Sequence, residues 1–260
     1  MEETMKQHRD RWWQSFYDDT PFDLYLERKD PVELQATIAF LLEKLGIGPG
    51  ASVFDQCCGI GSVSIPLAQR GIQVFGVDGC RKYVERARAE SRLVGVLTSY
   101  RTGDAFKYRT PVACDAAFNW YTSFGYSESD DQNVRMFLRA HDSLKPGGMY
   151  AVDYPNMVSL LKNFKASIVS RLQGNDGEIM LVRESSLNLD RGLLQQHWTF
   201  VMPDGRRLVH DTNLRIYLPH QLTQMLSRSG FTDVQFLGGL NGEALTPDSP
   251  RCLVLARRAQ

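Results

Sequence analysis

No stretch of this sequence approaches the roughly 20 consecutive apolar residues that a membrane span needs. The opening "MEETMKQHRDRWWQ" is charged where a secretion signal would be apolar. A surplus of either charge is missing too. The 30 basic and 30 acidic residues cancel, so the chain lacks the positive excess with which nucleic-acid binders meet phosphate. Cysteines are few: Cys57, Cys58, Cys80, Cys114 and Cys252 are odd in number and show neither a disulfide framework nor zinc spacing. Cys57 and Cys58 read instead as small, buried apolar side chains. No repeat, no low-complexity tract, no metal-ligand cluster and no Ser-His-Asp set is present. These absences predict a cytoplasmic protein with no metal, no membrane and no nucleic acid as partner; a monomer or homodimer is expected, with nothing in the sequence to choose between them.

What is present is ample core material, 43% hydrophobic against 23% charged residues. "DPVELQATIAFLLEKLG" carries helix signals at both ends: Asp30 to cap, Pro31 in the first turn, Gly46 to stop. From there short apolar strands alternate with helices: "ASVFD", "SIPLAQRG", "IQVFGVD", "RKYVERARAES", "LTSYRTGDA", "CDAAFNW", "ESDDQNVRMFLRAHDSL", "GGMYAVDYP". Strands apolar on both faces and separated by helices predict a Rossmann-like α/β fold, a mostly parallel sheet with helices on both faces. At about residue 177 the pattern changes. "EIMLVRESSLNLD", "LLQQHWTFVMPDG" and "RRLVHDTNLRIYL" alternate in character and meet at turns. They predict an antiparallel three-stranded insertion over about 177–218. The helix "PHQLTQMLSRSG" and two strands then close the chain. The expected division is N-terminal helices forming a lid over 1–45, then one domain over 46–260.

In such sheets ligands sit at the carboxyl ends of strands, where strand order reverses. The first strand there runs into "VFDQCCGIGS". A dinucleotide site would read G-x-G-x-x-G, so that backbone can approach a pyrophosphate. Here Gly59 and Gly61 are followed by Ser64 in the third glycine's place. An acid, a short glycine turn and a second acid, Asp78, suit an adenosine ligand without a pyrophosphate. A carboxylate has two oxygens with which to accept both ribose hydroxyls.

The segment "VFDQCCGIGSVSIPLAQRGIQVFGVD" resembles the first motif and ribose acid of class I S-adenosylmethionine (SAM)-dependent methyltransferases. The likeness continues through "GDA", "CDAAFNWYTSFGY", "LKPGGMYAVDYPN" and "LYLPHQLTQMLSRSGF", and is greatest to bacterial small-molecule members of the family. The resemblance implies S-adenosyl-L-methionine as cofactor. It places Asp55, Cys57, Cys58, Gly59 and Gly61 under the methionine and ribose, with Asp78 and Gly79 at the ribose and Asp104 and Ala105 at the adenine. Asn119 falls beside the reactive methyl, and Tyr17 comes from the closing helix. Cys57 stands where the family has the turn's first glycine.

Asn119, Tyr121 and Tyr154 are the candidate catalytic residues, and Trp13, Tyr126, His197, Arg215 and Tyr217 the candidate substrate contacts. An arginine at 215 would suit an acceptor carrying a carboxylate. The expected function is methyl transfer to a small molecule by in-line displacement in a closed pocket. Two alternatives stand beside it. The same sulfonium permits aminocarboxypropyl transfer, or cyclisation with release of methylthioadenosine; or the chain binds SAM without chemistry of its own.

Overall fold

The structure, a computed structural model, describes residues 30–174 and 176–260. Trp13, Tyr17 and the expected lid segment before residue 30 therefore lie outside the described residues. The chain divides into two compact units. The larger holds Asp30–Phe124, Asp130–Leu160 and Leu218–Gln260; the smaller, among the described residues, holds Gly125–Ser129 and Leu161–Tyr217.

The larger unit opens with α1 (Pro31–Leu45). Its ends follow from its sequence. The Asp30 carboxylate accepts the Val32 N–H at 2.9 Å, Pro31 needs no N–H partner in the first turn, and Gly46 takes the left-handed conformation that stops the helix. Ile38, Phe40, Leu41 and Leu45 bury against Val53, Ala116, Phe118 and Leu253 of the sheet. The expected boundary at 45/46 is thus not where the units divide, because four apolar side chains of α1 belong to the sheet's core.

Alternation then follows as the apolar runs require: β1 (Ser52–Gln56), α2 (Ser64–Ala68), β2 (Gln73–Asp78), α3 (Arg81–Leu93), β3 (Thr98–Thr102), β4 (Cys114–Asn119), α4 (Asp130–Ser143), β5 (Leu144–Tyr154) and α5 (Met157–Lys162). After the smaller unit come α6 (Pro219–Arg228), β10 (Phe231–Leu237) and β11 (Cys252–Arg258). The seven strands lie in the order β10-β11-β5-β4-β1-β2-β3. β3, β2, β1, β4 and β5 are parallel, while β11 runs antiparallel to both β5 and β10. From β1 the chain winds outward through β2 and β3, then returns to the other side of β1 as β4. The loops leaving β1 and β4 diverge there, opening a crevice at their carboxyl ends.

The smaller unit is an antiparallel sheet of β6 (Ser167–Gly174), β7 (Gly177–Asn188), β8 (Leu193–Val201) and β9 (Arg207–Arg215), paired in that order. It has four strands where three were expected, and it begins at Ser167 rather than near residue 177. The missed strand, "SIVSRLQG", alternates exposed and half-buried residues, with no continuous apolar run to announce it. One face of the sheet packs Ile179, Leu181, Trp198 and Phe200 together, with Tyr126, Leu172, Met202 and Leu208 against them. The Arg183 guanidinium covers the Trp198 ring at 5.1 Å.

Candidate functional site

The loop after β1 is shaped by backbone bonds rather than by glycine alone. The Cys57 and Cys58 N–H groups both donate to the Val77 carbonyl, at 2.9 and 3.0 Å, folding the loop over the end of β2. This forces Cys57 to φ 69°, a left-handed conformation that a residue with a Cβ adopts at a cost of about 1–2 kcal/mol. Gly61 (φ 82°) could carry no side chain, since a Cβ there would meet the Tyr100 hydroxyl at 2.9 Å. The buried Asp55 carboxylate accepts a hydrogen bond from the Ser64 hydroxyl. Ser64, which departs from the dinucleotide fingerprint, therefore has its own work: it orients the first acid of the loop.

Asp78, half-buried at the end of β2, accepts the Gly59 N–H on one oxygen at 2.9 Å and the Cys80 N–H on the other at 2.8 Å. Burial raises its pKa, against the lowering effect of those two donors. Each oxygen keeps a further lone pair, so the carboxylate can still accept two hydroxyls. Burial also raises the Cys57 thiol well above the usual range, reinforced by Asp78 and Asp55; Cys58 is raised by burial and the same two acids. Both thiols stay protonated at neutral pH. Gly79 is exposed. Asp104 is exposed and spends one oxygen on the Phe106 N–H at 2.9 Å, shaping the turn that carries Ala105.

Across the crevice, the wholly buried Asn119 ends β4. Its Nδ2 donates to the Gln56 carbonyl at 3.0 Å, its amide lies beside Cys57, and its Oδ1 has no hydrogen-bond partner among the described residues. Gln56 is fixed in turn: its side chain donates to the Met136 carbonyl at 3.0 Å and accepts from the Tyr150 hydroxyl at 2.9 Å. Tyr121 and Thr122 follow with φ 59° and 57°, two successive left-handed residues that are not glycine. Both are held by Asp153 of β5. Its carboxylate accepts the Tyr121 N–H at 3.1 Å and its carbonyl the Thr122 N–H at 3.3 Å. Arg251 donates to the same carboxylate at 2.8 Å and also pairs with Glu33 of α1. Burial raises the Asp153 carboxyl, opposed by Arg251.

The Tyr121 phenol is pushed up to about 12, first by burial and then by Glu33, so it is a proton donor at neutral pH and no base. Tyr154 is buried in the core, its ring edge-on to Phe124 at 6.0 Å. Gln56, Ser64, Asp153 and Arg251 escaped the sequence reading. Asp153 alone had a signal, an acid closing an apolar strand.

In the smaller unit, Tyr126 packs on the apolar cluster and Tyr217 is buried. His197 pairs with Asp211 across β8 and β9 at 2.7 Å. The Arg215 guanidinium donates to the Arg191 carbonyl at the β7–β8 turn, which employs it locally.

A parallel sheet whose switch point carries a strained loop, two strand-end acids and a buried unpartnered amide oxygen defines a nucleoside-binding domain. The donor set fits SAM: Asp78 has lone pairs for a diol, and Gly59, where a Cβ would meet nothing within 4 Å, faces open space. Residues 53–148 match the family model described as a methyltransferase domain; with the shared fold, this supports a SAM-dependent methyltransferase that uses SAM as its cofactor.

A putative methyltransferase of Geobacillus is 22% identical over 251 residues, covering 95% of this chain and 97% of that protein. The fold is shared with the CcbJ methyltransferase of Streptomyces caelestis, with TM-score 0.76 and 18% identity over 94% of this chain and 98% of that one. It is shared also with SAM-bound CalS10 of Micromonospora echinaspora, an amino pentose methyltransferase, with TM-score 0.69 and 17% identity over 93% and 97% of the two chains. Among the described residues no helix is long and apolar enough to cross a membrane.

Proposed function

We propose that this enzyme methylates an amine of a small molecule. When bound, the cofactor supplies a methyl group on a sulfonium, already activated toward displacement. The chain's task is then to hold cofactor and acceptor in line and to keep water out. Asp78 binds the ribose hydroxyls, the loop from Cys57 to Gly61 lies beneath the cofactor, and Asn119 Oδ1 accepts an N–H from whichever partner lies beside the methyl.

The observation that favours the amine is that the phenol and the two thiols at this end of the sheet are protonated. The Tyr121 phenol is pushed up to about 12 and the Cys57 and Cys58 thiols are raised, so none of them can take a proton from an alcohol or phenol at neutral pH. A neutral amine attacks through its free lone pair and needs no base before the transition state. The likeness to an amino pentose methyltransferase over most of both chains supports the same reading, as does the balanced charge of the chain.

The test is incubation of the enzyme with SAM and panels of amino sugars, other amines, phenols and alcohols, followed by mass spectrometry. S-Adenosylhomocysteine with a methylated amine is the expected result. Methylthioadenosine as the product, or turnover confined to phenols, alcohols or RNA fragments, would overturn it.

A further inference from the structure

The crossovers between the parallel strands of the larger unit are not alike. A helix joins β1 to β2, β2 to β3 and β4 to β5, whereas residues 103–113, which lead from β3 to β4, contain none. β3 is also the edge strand. One of its faces is covered, because Tyr100 packs with Cys58 and with Val84 and Ala87 of α3. Side chains alternate along a strand, so Arg101 lies on the face that α3 leaves uncovered. On that side the loop leaves a cavity of about 460 Å³, lined by Arg101, Tyr108, Arg109, Thr110, Val112 and Asp142 among others. No crevice residue from the ends of β1, β2 or β4 lines it.

The charges in this cavity do not cancel. Neither the Arg101 nor the Arg109 guanidinium has a hydrogen-bond or ion-pair partner among the described residues. Asp142, the acid of the lining, is spent on Arg139 of its own helix at 2.8 Å, with His141 at 3.7 Å. Burial raises the Tyr108 phenol and Arg101 opposes it, which sets that guanidinium near the hydroxyl. The loop is also held in shape by its own bonds. The Lys107 and Tyr108 N–H groups both donate to the Asp104 carbonyl at 2.9 Å. The Thr110 N–H donates to the Ser143 hydroxyl at 3.1 Å, and the Thr110 hydroxyl to the Val112 carbonyl at 2.7 Å. The Tyr108 ring rests on Phe54, with centroids 5.8 Å apart. Walls fixed in advance lower the ordering cost of binding.

We propose that this cavity binds an organic phosphomonoester, such as a sugar phosphate, at a site separate from the cofactor crevice. A phosphomonoester carries a charge of about −1.5 to −2 at neutral pH and three terminal oxygens. It can engage two forked guanidiniums together, whereas a single carboxylate would satisfy one and leave the other unmet. The cavity has room for more than the phosphate, since small organic ligands occupy pockets of roughly 300–1,000 Å³. The Tyr108 ring and the half-exposed Val112 give the body of the ester an apolar wall. A nucleic acid would call for a longer basic stripe and a positive excess, and the 30 basic and 30 acidic residues of the chain provide no such excess.

Titration calorimetry and thermal shift with ribose-5-phosphate and the full chain, in phosphate-free buffer of low ionic strength, test the proposal. One equivalent is expected to bind. Arg101→Gln and Arg109→Gln, both at exposed positions, should each weaken binding about tenfold by removing charge-assisted bonds. The double variant should lose it while keeping the circular dichroism spectrum and the S-adenosylhomocysteine affinity of the parent. Neither heat nor a thermal shift from the wild type at millimolar ester overturns the proposal, and so does a double variant that binds as tightly as the parent. Displacement of the ester by S-adenosylhomocysteine would place it in the crevice and overturn the separate site. Inorganic phosphate binding as tightly as the ester would overturn the organic body. Displacement by an RNA oligonucleotide lacking a terminal phosphate would make the cavity a nucleic-acid contact instead.

Discussion

The two ends of the seven-stranded sheet are built from the same strands and treat their carboxylates in opposite ways. At the amino end, Asp115 of β4 accepts from both the N–H and the hydroxyl of Ser52, at 2.8 and 2.9 Å, and from Lys145 at 2.6 Å. Burial raises its pKa, but Lys145 and the Ser52 donors outweigh that and hold it at about 2. At the carboxyl end, burial dominates at Asp78 and Asp153, and both are raised. Three left-handed residues with side chains (Cys57, Tyr121 and Thr122) and the unpartnered Asn119 Oδ1 lie at that end too. One end is satisfied and serves stability. The other holds strain and unmet hydrogen bonds, which persist because the surrounding fold imposes them and because a ligand can meet them.

The largest effect that would break this contrast is expected from Asp153→Ala. Removing the acid leaves Arg251 short of a buried partner and the Tyr121 N–H without its acceptor, and should lower unfolding stability by about 3 kcal/mol in urea titrations. Unchanged stability would mean that the carboxyl end does not depend on this pair.

Asp78→Ala should leave the fold intact and weaken S-adenosylhomocysteine binding by about 1–3 kcal/mol, measured by calorimetric titration. Its pH dependence sharpens the comparison. With the folded pKa raised above its unfolded value, Asp78 favours folding below the unfolded pKa, and that contribution is lost as pH rises through the raised value. Ligand hydroxyls need the ionised form, so affinity runs the other way and falls as pH drops through the same raised range. Parallel trends in ligand-free stability and affinity would show that Asp78 governs neither.

The smallest effect belongs to Asp115→Asn. A depressed pKa contributes stability above the unfolded value of about 4, lost as pH falls toward 2. The variant should therefore differ from the parent near neutrality and converge with it in acid, in thermal melts followed across pH. The partly exposed Lys145 pair keeps the difference modest.

Much of the fold was legible because local signals agreed with the final packing. Asp30, Pro31 and Gly46 bound α1 where the structure ends it, and the apolar runs became the buried strands. The acids Asp55 and Asp78 could be seen because they stand at strand ends around a short glycine turn. What was hidden is tertiary. Arg251 meets Asp153 across 98 residues, and nothing local in "SPRCLV" announces it. Ser64 looked like a missing glycine, since its bond to Asp55 exists only once the loop has closed. β6 was lost because it alternates weakly and gains its identity by pairing with β7.

Gln56 carries a consequence for how the molecule comes into being. Its side chain joins the Tyr150 hydroxyl, 94 residues away, and the Met136 carbonyl, 80 away; its own carbonyl receives Asn119 from 63 residues away. Each link closes a long loop, at an entropic cost that must be met before the bond forms. The crevice floor therefore takes shape only when β1, β4, β5 and α4 have all assembled, however early the helices appear. During refolding, affinity for the adenosyl ligand should arise with the slowest productive phase, making the ligand a reporter of completed topology rather than a nucleus for it.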